Sequence, residues 1–197
     1  MTTPQEPAPL ANGAVTPASE APPRLVGLPP VVSDRTVVLV LGSFPGAASL
    51  KAQQYYGHPQ NHFWRILQSL WPQHPLPPAG PQHYAQRCAW LLERRLGLWD
   101  VYASCEREGS LDTSIRHAVV NDFAQLLHEC PGLRAIAHNG GESFKHSAAV
   151  RQQWAGAYPG AQVQSVRLPS TSPANASWSF ERKQTAWAEL MAAHGLL

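Results

Sequence analysis

The sequence predicts an α/β protein, a three-layer α/β/α sandwich around a central, mostly parallel four-stranded sheet. Two observations carry that expectation. Four short apolar runs, at residues 37–41, 98–102, 133–137 and 162–168, each lead into a loop of small, polar or turn-forming residues. Between them lie stretches with apolar residues at helical spacing, and strands that alternate with helices build a sheet covered on both faces.

The first strand is the plainest. Val37-Val-Leu-Val-Leu41 is continuously apolar and meets Gly42 and Pro45 at once, so it reads as a strand buried on both faces that ends abruptly in a loop. A small-residue segment follows to Gln54, then the loop Tyr55-Tyr-Gly-His-Pro-Gln-Asn-His-Phe-Trp64. Phe63, Ile66, Leu67 and Leu70 fall at i, i+3, i+4 and i+7, which predicts a helix with Asn61 at its N-cap. After a proline-rich connector over 72–81, a second helix is expected over 83–96, stopped by Gly97. Leu98-Trp-Asp-Val-Tyr102 is read as the second strand, with a polar loop over 104–113. A short helix over 121–130 ends at Pro131-Gly132, and Leu133-Arg-Ala-Ile-Ala137 is the third strand, with His138-Asn-Gly-Gly141 as its loop. Helices over about 142–154 and 180–194 flank the fourth strand, which enters Pro169-Ser-Thr-Ser-Pro-Ala-Asn175. Parallel α/β sheets bind ligands beyond the carboxyl ends of their strands, so these four loops are the expected site.

Composition narrows the function classes. With 197 residues, 44% of them hydrophobic, the chain suits one compact domain over 31–197 with a tail at 1–30. That tail holds eight prolines among Ala, Thr, Glu and Gly and few large apolar groups, so disorder is expected there. It has no secretory pattern, and Arg24 alone makes a poor transit peptide. No apolar run approaches the ~20 residues that span a bilayer, so no membrane association is expected. The net charge of +2 permits nucleic acid without demanding it. The three cysteines (Cys88, Cys105, Cys130) are widely spaced, which speaks against a disulfide framework or a metal site. A G-x-S-x-G elbow, a G-x-G-x-x-G turn and a P-loop lysine are all missing after the first strand.

Gly42-Ser-Phe-Pro-Gly46 followed by His58-Pro-Gln-Asn-His-Phe-Trp64 resembles the uracil-DNA glycosylase superfamily, whose mismatch-specific branch has a G-x-N-P-G loop and an H-P-x-N-x-F-W segment. The hypoxanthine-DNA glycosylase branch is more similar still. It matches in the G-S-F-P-G loop, the Y-Y-G-H-P-x-N-x-F-W run, the W-D-V-x-A-S-C-x-R-E-G-S run at 99–110 and the strand-end Asn139-Gly140. The resemblance covers about 37–187. It implies a monofunctional DNA glycosylase of base excision repair that flips a deaminated base, hypoxanthine from deoxyinosine first, and hydrolyses its N-glycosidic bond. It implies a monomer without cofactor or metal, acting on double- or single-stranded DNA in a bacterial cytoplasm, associated with the nucleoid.

One departure matters. The Asn of G-x-N-P-G serves the catalytic water, and Phe44 stands there, which cannot orient a nucleophile. The resemblance moves that duty to Asn61, whose amide can hold water without titrating. From spacing alone, Asn61 is a helix cap. Phe63 belongs to its helix's apolar stripe, while the resemblance makes it the ring that stacks on the flipped base. Phe44, Tyr56 and Ser43 are base-pocket candidates, although loop aromatics also close cores. Asn139 is a turn signal by composition and a base-edge reader by resemblance. Ser170, Thr171, Ser172 and Pro173 form either a helix-entry turn or a DNA-gripping loop, with Arg167, Arg182 and Lys183 supplying charge or a solvated face. Trp99 and Asp100 read as packing and a loop hydrogen bond. His58 and His62 read as packed neutral rings, with His58 able to help the leaving base. Two rivals stay open: a uracil or mismatch-specific glycosylase of the same fold, and a non-catalytic reader of damaged DNA.

Overall fold

The computed structural model describes residues 23–158, 160 and 162–197, so most of the expected tail lies outside the described residues. In chain order the elements are β1 (Leu25–Val26), β2 (Val38–Gly42), α1 (Ala47–Ala52), α2 (Phe63–Leu70), α3 (Tyr84–Glu93), β3 (Leu96–Asp100) and β4 (Tyr102–Glu106). They continue with β5 (Arg116–Val120), α4 (Phe123–Glu129), β6 (Ala135–Asn139), α5 (Gly141–Phe144), α6 (Ser147–Ala157), β7 (Gln164–Leu168) and α7 (Phe180–Ala193). Single 3₁₀ turns sit at Pro81–His83 and Asp112–Ser114.

The central sheet has the order β3-β2-β6-β7, and every neighbouring pair is parallel. All five residues of β2 are buried, and their period-2 alternation feeds two cores. Val38 and Val40 face α2, α3 and α7, where Phe63, Ile66, Trp90, Leu91, Trp187 and Met191 pack. Leu39 and Leu41 face α4 and α6, meeting Phe123, Leu126, Val150 and Trp154. This is the expected α/β/α sandwich with helices on both faces.

Several boundaries differ from the sequence reading, each for a physical reason. The run at 98–102 is not one strand. β3 ends at Asp100, and the chain turns there because Val101 N–H and Tyr102 N–H donate to the carbonyls of Gly42 and Ser43 at 2.9 and 3.0 Å. The expected polar loop at 104–113 therefore starts as β4, which joins β1 and β5 in a small antiparallel sheet. Half-exposed antiparallel strands lack the continuous apolar run that marks a buried one, and β5 is mostly exposed. The helix expected to 96 stops at Glu93, and Arg95 makes the reversal with a φ of 60°. Gly97 lies inside β3, where an added Cβ would come within 2.9 Å of Thr36 and 3.0 Å of Val32. Its glycine serves close packing, not a helix stop.

The packed chain also begins upstream of the expected boundary at Val31. Leu25 and Val26 pair with Cys105 and Ser104, Arg24 donates to Ser104 Oγ at 3.0 Å, and Leu28 is buried in the main core. A chain starting at Val31 is therefore expected to be less stable than one starting at Pro23, by about 2 kcal/mol, the order set by losing one buried Leu and its neighbours. Denaturant melts of the two chains check this, and coincident midpoints would refute it.

Candidate active site

The parallel register sets the carboxyl ends of four strands side by side: Gly42 opposite Asp100, and Asn139 opposite Leu168. Loops leaving these ends enclose a cavity of about 1010 Å³. It lies where β2 leads to a neighbour on one side and β6 to a neighbour on the other, the switch point at which such sheets bind ligands.

The loop Gly42–Gly46 is braced by the segment after β4. Ser43 Oγ donates to Asp112 Oδ1 at 2.6 Å, and Ala47 N–H donates to Ser110 Oγ at 2.9 Å. The buried Arg107 donates to the Pro45 carbonyl and holds its guanidinium 5.0 Å from the Phe44 ring centre. Phe44 touches the cavity but is mostly sunk in the α4–α6 core. Arg107 and Ser110 belong to the 99–110 motif run, yet nothing local in the sequence says what they brace.

Asn61 reaches the cavity wall just ahead of α2. Its Oδ1 accepts the Phe63 N–H at 3.0 Å, and its own N–H donates to the His58 carbonyl at 2.9 Å. The N-cap position itself is His62, one residue later than expected, whose side chain makes no capping bond. Asn61 still satisfies the first helical N–H from outside, which fixes its amide in the cavity. His58 lines the cavity as well, while His62 turns its ring edge to Phe180 at 5.5 Å, away from it.

Phe63 differs from expectation. Its ring is fully buried and is not among the cavity-lining residues. Tyr56 lies over it, with ring centres 3.9 Å apart and planes at 24°. Tyr56 has a φ of 54°, uncommon for a residue with a Cβ, and it is Tyr56 that lines the cavity. Burial raises its phenol well above the ordinary tyrosine range, so its hydroxyl stays neutral.

Asn139 joins three parts of the site. Thr171 N–H donates to Asn139 Oδ1 at 2.9 Å, which fixes the amide's orientation. Both amide N–H groups are then used, one on Thr171 Oγ1 at 2.9 Å and one on the Tyr56 hydroxyl at 3.1 Å. Thr171 is fully buried, whereas Ser170, Ser172 and Pro173 line the cavity with it. Lys183, read as a surface charge, is 1% exposed. Its ammonium donates to the carbonyls of Ser172 and Asn175 at 3.4 and 3.1 Å and so holds this loop from inside. Arg182 instead lies 4.3 Å over the Trp178 ring.

The uracil DNA glycosylase superfamily model matches residues 29–191. The chain belongs to the uracil DNA glycosylase superfamily. It is 36% identical over 167 residues to a hypoxanthine DNA glycosylase of Methanosarcina barkeri, covering 83% of this chain and 95% of that one. It is 34% identical over 157 residues to a hypoxanthine DNA glycosylase of Methanosarcina acetivorans, covering 80% and 92%. A solution NMR structure of a Methanosarcina acetivorans protein superposes with a TM-score of 0.69 at 32% identity, covering 87% of this chain and 99% of that one. The family and these relatives are DNA glycosylases, which implies a DNA substrate. Among the described residues no helix is long and apolar enough to cross a membrane.

Within this superfamily site the residue that sequence reasoning placed least well is Asp100. It is 4% exposed and borders the cavity, but among the described residues its side chain does not make the expected loop hydrogen bond. Its Oδ2 is buried without a partner among the described residues. Burial, with the Asp112 carboxylate behind it, pushes Asp100 up to about 7 against partial relief from Arg107. Asp112 is also raised by burial, partly offset by the Ser43 hydroxyl.

Two outcomes are expected. A carboxyl raised in the folded state binds protons that the unfolded chain has released, so the parent loses stability as pH rises from about 4 to 7. Asp100→Asn removes that loss. Its melting temperature relative to the parent should rise by about 3 °C or more between pH 5 and pH 8, and a pH-independent difference would contradict the buried carboxyl. Lys183→Met leaves two loop carbonyls without a charged donor and should cost about 2 kcal/mol in denaturant melts; an unchanged midpoint would place the amine in solvent.

Proposed function

We propose that this protein is a monofunctional DNA glycosylase that removes hypoxanthine from deoxyinosine and leaves an abasic site for base excision repair. It works as a monomer, on double- or single-stranded DNA, in the cytoplasm at the nucleoid. The observation that carries the reading is the Asn61 amide, locked on the Phe63 N–H at the wall of the strand-end cavity. An amide so held orients water through its remaining oxygen lone pair and has no charge to titrate. The hypoxanthine DNA glycosylases of two Methanosarcina species support the choice of base.

The chemistry follows from what the cavity offers. A deaminated base leaves the stack at a cost of a few kcal/mol and enters a pocket walled by Tyr56 and bounded by the Gly42–Gly46 loop. As the C1′–N9 bond lengthens, the sugar gains oxocarbenium character, and the water held by Asn61 adds to C1′. Ser170, Ser172 and Pro173, kept in place by Asn139 and Lys183, meet the phosphates beside the flipped nucleotide. Tyr56 and Phe44 confine the base, Ser43 is engaged by Asp112, and Phe63 supports the Tyr56 ring from behind.

Single-turnover base release from oligonucleotides bearing one deoxyinosine or one deoxyuridine tests this, with alkali revealing the abasic sites. Release from deoxyinosine is expected, and Asn61→Ala should slow it by about 10²-fold or more while retaining a cooperative melt. Faster release from deoxyuridine would favour a uracil-specific enzyme. Binding without release would make the chain a damage reader, in line with Phe44 standing where the mismatch-specific branch has its asparagine.

A further inference from the structure

We propose that Asp100 is a second catalytic residue, an uncharged carboxylic acid that donates its proton to N7 of the departing purine. The proposal rests on the glycosylase reading above and adds the group that the Asn61 amide cannot be, since an amide has no proton to give at neutral pH.

Geometry carries the assignment. Asp100 closes β3 at the floor of the cavity, directly across the ladder from Gly42. A Cβ at Gly42 would lie 2.2 Å from Asp100 Oδ1, so the first loop leaves the space that the carboxyl fills. Oδ2 is buried with no hydrogen-bond partner among the described residues, although its main-chain carbonyl is held by Asn121 Nδ2 at 2.9 Å. A buried carboxyl oxygen without a partner is costly, and such groups are kept where they serve a site.

Burial first, and then the Asp112 carboxylate, raise the carboxyl above its ordinary range. The Asp112 carboxylate faces it from the turn after β4, and the phenols of Tyr55, Tyr56 and Tyr84 stand around it from the loop before α2 and from α3. Arg107 is the cation that acts on it, itself buried against Phe44 and the Pro45 carbonyl. The outcome is a carboxyl that titrates at about 7, close to the pH at which an acid both holds its proton and gives it up readily.

The step balances. Asp100 gives its proton to N7, and the C1′–N9 electron pair leaves with the base as neutral hypoxanthine. Water adds to C1′ and its released proton restores the Asp100 acid. A purine presents a basic N7 and gains from such an acid. Uracil has no imidazole ring and gains nothing there, so Asp100 favours the purine lesion.

The experiment measures single-turnover release from a deoxyinosine duplex between pH 5.5 and 9 for the parent, Asp100→Asn and Asp100→Glu. The parent rate is expected to fall as pH rises through about 7, where the acid is lost. Asp100→Asn should be slower by about 100-fold at pH 6, with a rate flat in pH, and Asp100→Glu should recover part of the rate together with the falling limb. The melting temperature of Asp100→Asn and its affinity for the same duplex, within a few-fold of the parent, separate lost chemistry from lost folding. An Asp100→Asn rate within threefold of the parent, or one that keeps the parent's falling limb, overturns the assignment. A parent that releases no hypoxanthine at any pH overturns the glycosylase reading and the acid with it.

Discussion

The site depends on the parallel pairing of β2 with β3, which places Gly42 beside Asp100 and leaves no room for a side chain at position 42. Both strands are buried on both faces, so neither end can slide without unpacking Leu39 and Leu41 from one core or Val38 and Val40 from the other. From that fixed contact the first loop departs, and its carbonyls at Gly42 and Ser43 take the N–H groups of Val101 and Tyr102. The turn out of β3 and the turn out of β2 are thus one structure. The floor of the cavity is rigid because the sheet beneath it is.

On the neighbouring strand a single amide does comparable work. Asn139 bonds to the main chain and side chain of Thr171 and to the Tyr56 hydroxyl, so β6, the 169–175 loop and the aromatic wall move together. Lys183 secures the same loop from behind, with its stem buried and its ammonium spent on two carbonyls. Neither group is free to meet DNA in this arrangement. They hold the parts that are.

What the sequence disclosed and what it withheld divide along a physical line. The five-residue apolar run of β2, the helical stripe of α2 and the literal motif runs are local signals, and they led to the central sheet and the family. The small sheet of β1, β4 and β5 was missed because its strands are short and half-exposed, with no period that stands out. The braces were missed for a different reason. Ser43 to Asp112 spans 69 residues and Arg107 to Pro45 spans 62, and no spacing rule reaches so far. Lys183 looked like a surface cation because a lysine on a helix flanked by Arg182 and Gln184 usually is one. Only the carbonyls of a distant loop explain its burial.

The stack of Tyr56 on Phe63 shows why a residue's type and neighbourhood are not enough to assign its contact with a ligand. Phe63 is anchored by Trp64 and Trp187, edge-on at 5.1 and 5.6 Å, and those contacts fix its ring inside the core. Tyr56, in a left-handed conformation, turns its ring onto Phe63 and its hydroxyl onto Asn139. A left-handed backbone costs a residue with a Cβ about 1 kcal/mol or more, and the stack and hydrogen bond offset it. Of the two stacked rings' residues, Tyr56 is the one that lines the cavity, and Phe63 packs behind it in the core.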